Sequence, residues 1–213
     1  RPARPDRPEL LSPRDVPHRK PGSPEGRIAL LHAVAHIELN AVDLHWDIIA
    51  RFTAIRMPMG FYDDWVNAAD DESKHFNLMC DCLEELDSHY GALPAHAGMW
   101  RDDFMGRLAV VPMVLEARGL DVTPNMIQVF KSAKAKQAVE ALETIYAEEV
   151  AHVAYGSKWF HFLCGRHELD PKEAFHGLVR KYFHGALKSP FNEEKRAEAG
   201  IPPDFYWPLT ENL

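Results

Sequence analysis

The sequence predicts an all-α protein: a four-helix bundle preceded by an extended arm and followed by an extra helix and an irregular tail. Three observations carry that expectation. From residue 27 onward the apolar residues recur at steps of three and four, and no stretch alternates apolar and polar long enough to form a sheet. Proline and glycine interrupt the pattern at Pro58, Gly60, Gly91, Gly119 and Pro124. The composition, 46% apolar and 26% charged over 213 residues, is that of one ordinary folded domain.

Taken in order, residues 1–26 form the arm and residues 27–213 the helical domain. The first 27 residues hold seven of the 16 prolines, with seven Lys or Arg against four Asp or Glu, so their backbone is extended and short of amide donors. The first helix is expected over 27–55, ended by Met57-Pro58-Met59-Gly60, and the second over 62–89, closed by Gly91. A loop through Pro94 and Gly98 leads to a third helix over 101–117, which Gly119 ends, and Thr123-Pro124 starts a short helical turn. The fourth helix covers 135–166 and a shorter one 171–183. The last thirty residues look irregular but packed, because Phe191, Phe205, Tyr206 and Trp207 would otherwise form an exposed apolar patch.

Charge and composition narrow the function classes. The whole chain carries −8 and its first 27 residues +3, which leaves −11 on the remainder, and such a body repels nucleic-acid phosphates. The longest apolar run is the eight residues from Leu108 to Leu115, far short of the roughly 20 needed to span a bilayer. Three cysteines, with Cys80 and Cys82 at neither a zinc nor a thioredoxin spacing, suit a reducing cytoplasm. The chain opens at Arg1 with neither an initiator Met nor an apolar signal segment, which reads as a trimmed sequence.

The chemistry lies where polar residues interrupt the apolar seams. In helical steps the first seam reads Ile28, Leu31, Ala35, Glu38, Val42, His45, Ile49, Phe52. The second reads Trp65, Ala68, Glu72, His75, Met79, Cys82, Leu86, and the fourth Leu142, Ile145, Glu149, His152, Gly156, Trp159, Leu163. Glu116 directly follows the most apolar run of the chain. Four carboxylates thus face inward, and no Lys or Arg shares those stripes. A buried carboxylate must be protonated, paired or bound to a metal.

Spacing points to the metal. With 17 Glu and 12 His, chance supplies about one Glu-x-x-His, and three occur. Glu173-Ala174-Phe175-His176 is read as a bystander, on a late short helix without a lone Glu to match it. The other two belong to a repeat: Glu38 precedes Glu72 by 34 residues and Glu116 precedes Glu149 by 33. Side chains at i and i+3 share a helix face, so Glu72 with His75, and Glu149 with His152, can each reach one ion. Two lone glutamates from facing helices can then bridge two ions. One Glu from each of two helices and one Glu-x-x-His from each of the other two is the di-iron or di-manganese pattern of ferritin-like bundles.

Both motifs have the form acid-Glu-x-x-His. Asp71 and Glu148 are therefore expected to accept the second ring N–H of the histidines. His45 lies seven residues after Glu38, about 10 Å along the axis, and is assigned to the wall around the metals rather than to the ligands. Tyr146, three residues before Glu149, offers a phenol close by. Ala41, Ala68 and Gly156 leave either a cavity beside the metals or tight helix contacts.

These segments resemble a bacterial family within the ferritin-like superfamily catalogued only as domain-of-unknown-function family 455. The resemblance runs from Gly26 to about Pro208. It rests on Ala35-His36-Ile37-Glu38-Leu39, Asp70-Asp71-Glu72 with His75-Phe76, Val111-Pro112-Met113, the segment from Leu115 to Pro124, Glu149-Val150-Ala151-His152-Val153 and Pro190-Phe191-Asn192. It implies a ferritin-like four-helix bundle with one long crossover, and ligands at Glu38, Glu72, His75, Glu116, Glu149 and His152. It implies no substrate. The ligand order is also similar to that of tRNA-modifying di-iron hydroxylases, soluble monooxygenases and ribonucleotide reductase small subunits. The predicted helix ends require a return of about 48 Å, whereas residues 90–100 stretch to about 36–40 Å. Either residues are missing at the Trp100–Arg101 junction, which is the expectation, or the ends of both helices are frayed, which would close the gap.

The functional expectation is an oxidoreductase that binds two metal ions, iron first and manganese as the alternative. It would activate dioxygen and hydroxylate or otherwise oxidise an unknown small-molecule substrate, with an external electron donor. The alternative is a ferroxidase or iron-binding protein without an organic substrate, and a third reading is a metal-free helical scaffold.

Overall fold

The computed structural model describes residues 5–12, 15–16, 20–96 and 103–210. Among these the chain is mostly helical: α1 (Pro24–Arg51), α2 (Met59–Glu84), α3 (Phe104–Val110), α4 (Ala117–Ser132), α5 (Lys136–Arg166), α6 (Pro171–Tyr182), α7 (Glu193–Glu198) and α8 (Pro203–Tyr206). A π-helical segment, Val111–Glu116, joins α3 to α4. Two very short strands, β1 (Leu10–Leu11) and β2 (Ala95–His96), pair in parallel. No helix among the described residues is long and apolar enough to cross a membrane. The Trp100–Arg101 junction lies outside the described residues.

The chain divides into two compact units. The first comprises Arg1–Arg56, Trp65–Trp100 and Met126–Ile145, and the second Met57–Asp64, Arg101–Asn125 and Tyr146–Leu213.

In the first unit α1 begins inside the stretch expected to be arm. The Ser23 side chain accepts the Gly26 N–H, and Pro24 fills the first turn, where its missing N–H costs nothing. The second helix ends at Glu84 rather than near residue 89. Asp87 adopts a left-handed conformation (φ 53°), and the Ser88 N–H reaches back to the Leu83 carbonyl at 2.9 Å. Two histidines then tie the following loop to α1. Gly91 N–H donates to His32 Nε2 at 3.0 Å, while His36 links the Tyr90 hydroxyl and the His96 carbonyl at 2.8 Å each.

His32 must be neutral to accept from Gly91. Burial, and secondarily His89, lowers its pKa below the ordinary 6.5. The stabilisation it contributes is therefore complete above pH 6.5 and fades as pH falls below that value. Replacing His32 by Gln keeps an acceptor that does not titrate. The expected result is a smaller drop in melting temperature between pH 7 and pH 5 than in the wild type, measured by circular dichroism.

The second unit holds the clearest departure from expectation. Gly119 does not end a helix and Pro124 does not start one; both lie inside α4. Pro124 has no N–H to offer the Leu120 carbonyl one turn earlier. Asn192 Nδ2 supplies that bond instead, at 3.2 Å. The π segment packs closely on α5, where a Cβ on Gly156 would overlap the Pro112 ring. The absence of a side chain at Gly156 lets the segment pack there, so the small residue serves a tight contact. Where regular helix returns, Ala117 N–H reaches the Pro112 carbonyl, five residues back. The extra residue rotates Glu116 and the helix after it by about 100° relative to an unbroken α-helix.

The tail is packed, as its aromatics required, though it forms α7, α8 and a 3-10 turn at Trp207–Leu209 instead of remaining irregular. Its anchor is Arg196, buried at 2% exposure. The guanidinium meets Asp121 through Nε at 2.8 Å and Nη2 at 2.7 Å, and lies against the rings of Phe191 and Tyr206, 5.0 and 4.8 Å from their centroids.

Candidate metal centre

Of the six ligands expected from spacing, Glu38 is 4% exposed, Glu72 0%, His75 0%, Glu149 7% and His152 0%. Both carboxylate oxygens of Glu116 are buried as well. The apolar seams explain this burial: Leu31 and Ala35 precede Glu38, Ala68 and Met79 flank Glu72 and His75, and Ile145 and Val153 flank Glu149 and His152, all buried. Three helices thus present acids from the same stripes that make their cores.

In the first unit, one ligand atom from each of Glu38, Glu72 and His75 lies within 4.8 Å of the others. His75 Nδ1 is 3.3 Å from Glu72 Oε2 and 3.9 Å from Glu38 Oε2. The i, i+3 spacing brings the first pair together, and a second helix delivers Glu38. In the second unit His152 Nδ1 stands 4.0 Å from Glu149 Oε2, again at i, i+3. Glu116 ends the π segment of that unit.

The distances carry chemical information. A hydrogen bond between imidazole and carboxylate settles at about 2.7–3.2 Å. Two N or O ligands, each about 2.1 Å from one ion, are about 3.0 Å apart when cis and about 4.2 Å apart when trans. Separations of 3.9 and 4.0 Å lie in the second range, and 3.3 Å is shared by it and by a long hydrogen bond. Carboxylate oxygens and imidazole nitrogens are a donor set that iron and manganese accept.

The supporting residues are placed less uniformly. Asp71 is on the surface side of α2, with Oδ1 accepting from Lys74 Nζ at 2.8 Å. Glu148 is half-buried on α5. The Tyr146 hydroxyl accepts from Asn192 Nδ2 at 2.7 Å, which ties it to the tail. His45 is buried at 1% exposure, with Nε2 3.6 Å from Glu72 Oε1. His176 of the bystander motif is a structural residue, its Nε2 3.0 Å from the carbonyls of Asp204 and Phe205. A cavity of about 230 Å³ in the first unit lies against His32 and His36. Glu38 is two positions after His36, about 200° around α1, so that cavity belongs to the opposite face from the acid.

Two features of the site escaped the sequence. The proximity of His45 to Glu72 depends on how α1 pairs with α2, which no spacing within one helix reports. The π segment before Glu116 had a sequence signal, Pro112 inside an apolar run, but its partner Gly156 is distant in the chain.

Comparison with known proteins agrees with the motif reading at the level of family and adds no activity. The sequence is 39% identical over 208 residues to an uncharacterized protein of Haemophilus influenzae, covering 92% of this chain and 72% of that one. No solved structure matches. The sequence pattern described as "Protein of unknown function (DUF455)" matches residues 1–207, which include all six acids and imidazoles above, and the chain belongs to that family.

Proposed function

We propose that Glu38, Glu72, His75, Glu116, Glu149 and His152 together hold two divalent metal ions in a ferritin-like four-helix bundle, and that the protein is a di-iron carboxylate oxidoreductase acting with dioxygen. The observation that carries this reading is the set of buried atoms of Glu38, Glu72 and His75, spaced as ligands of a shared ion. The second half of the sequence repeats the same residue types at the same spacing, with Glu149 and His152 buried in turn.

When bound, two ferrous ions supply the electrons that reduce dioxygen for oxidation of an organic substrate, and an external donor restores them. The chain's own contribution is to bind and to exclude water. The glutamates neutralise the ions, and the carboxylates can shift between one-ion and two-ion modes. Leu31, Ala35 and Met79 keep the first half dry, as Met113 and Val153 do the second. Placing charge in such surroundings is tolerable only while acids and ions cancel.

Anaerobic titration with ferrous ion, followed by admission of oxygen, tests the reading. Two irons per chain are expected, with oxygen consumed once and uptake ending there. Replacing Glu116 by Ala should remove one or both irons. Failure of the wild type to bind ferrous ion overturns the metal reading. Continued uptake of many irons overturns the oxidoreductase in favour of iron handling.

A further inference from the structure

We infer that His45 is a seventh metal ligand and that Glu72 is a bridging carboxylate in addition to the lone glutamates, with His75 on the ion at one of its oxygens and His45 on the ion at the other. This rests on the di-metal reading above. The two oxygens of Glu72 face different imidazoles. Oε2 is 3.3 Å from His75 Nδ1, and Oε1 is 3.6 Å from His45 Nε2. The first is a long hydrogen bond and the second exceeds hydrogen-bond length, and both fit two ligands about 2.1 Å from one ion. A carboxylate with an imidazole on each oxygen matches the demand of a two-metal site, whose ions sit about 3.5–4 Å apart.

The surroundings of His45 fit a ligand. The ring is buried and stacks on Trp65, with centroids 5.1 Å apart and planes 30° from parallel. Trp65 precedes Glu72 by seven residues on α2, so one helix orients the ring and presents the carboxylate that the ring faces. The 10 Å offset from Glu38 along α1 counted against His45 in the sequence. That offset assumes a single point of convergence. Two ions bridged by Glu72 spread the target, and Glu38 and His45 then reach opposite ends of it.

Cobalt(II) titration under argon, read by absorption and by metal analysis, provides the test, with a His45→Phe variant that retains an aromatic ring against Trp65. The wild type is expected to bind two equivalents and the variant one, at a cobalt concentration that saturates the wild type. The proton spectrum of the cobalt-loaded wild type is expected to show three strongly shifted imidazole N–H signals, from His45, His75 and His152, and needs no variant. Two equivalents retained by a folded His45→Phe protein, or two shifted signals in the wild type, overturn the role of His45 and leave the di-metal reading standing. A wild type that binds no cobalt overturns both.

Discussion

Replacing Glu72 by Ala is expected to abolish binding of both metal ions while leaving the metal-free protein within about 2 kcal/mol of the metal-free wild type. Glu72 is wholly buried, and its oxygens face His75 on one side and His45 on the other. A bridging ligand cannot be lost from one ion alone. Without metal the same carboxylate is a liability, because it is desolvated beside a second acid, Glu38, that also approaches His75. Removing it relieves that cost and opens a small void, and the two effects oppose each other. The contrast between states is the decisive measurement. An ion present at a thousand times its dissociation constant stabilises the folded wild type by about 4 kcal/mol per site, or about 8–16 °C in melting temperature for a chain of this size. Scanning calorimetry with and without manganese should show that rise in the wild type and none in Glu72→Ala. A variant that still gains stability from the metal would remove Glu72 from the site.

The half of the site that was legible in the sequence is the half written in local spacing. Glu38, Glu72, His75, Glu149 and His152 fall on apolar seams, and each is buried as those seams require. The predicted limits of the fourth and fifth helices, 135–166 and 171–183, differ from α5 and α6 by a single residue at the ends that moved. Both begin and end on local signals, such as the Asp170 side chain accepting the Glu173 N–H.

What was not legible depends on contacts distant in the chain. Gly119 and Pro124 are helix breakers by local rule. Here the carbonyl that Pro124 leaves unbonded is satisfied from Asn192, and the π turn rests on the bare backbone of Gly156. The short pairing of Leu10–Leu11 with Ala95–His96 is likewise backbone hydrogen bonding without a composition signal. His45 shows the same limit at the site itself. Its distance from Glu38 along one helix is a local quantity, whereas its approach to Glu72 is set by the register between two helices.

Substituting Asp121 by Ala should cost about 3–5 kcal/mol, the largest loss of stability expected from a residue outside the candidate metal centre. Asp121 Oδ1 accepts from Arg196 Nε at 2.8 Å and from the Asn192 backbone N–H at 2.9 Å, and Oδ2 accepts from Arg196 Nη2 at 2.7 Å. Its removal leaves the Arg196 guanidinium buried against Phe191 and Tyr206 without its counter-charge. It also frees Asn192, whose side chain serves the Leu120 carbonyl and the Tyr146 hydroxyl. The damage should therefore extend to α5, where Tyr146 lies one turn before Glu149. Urea unfolding gives the stability change, and limited proteolysis should cut first in the tail between residues 186 and 210. The paired substitution Asp121→Leu with Arg196→Met separates charge from packing. Replacing both members of a buried pair by apolar residues is often close to neutral, so the double variant should regain most of the loss. If it remains as unstable as Asp121→Ala, the tail is held by the hydrogen bonds to Asn192 and not by the ion pair.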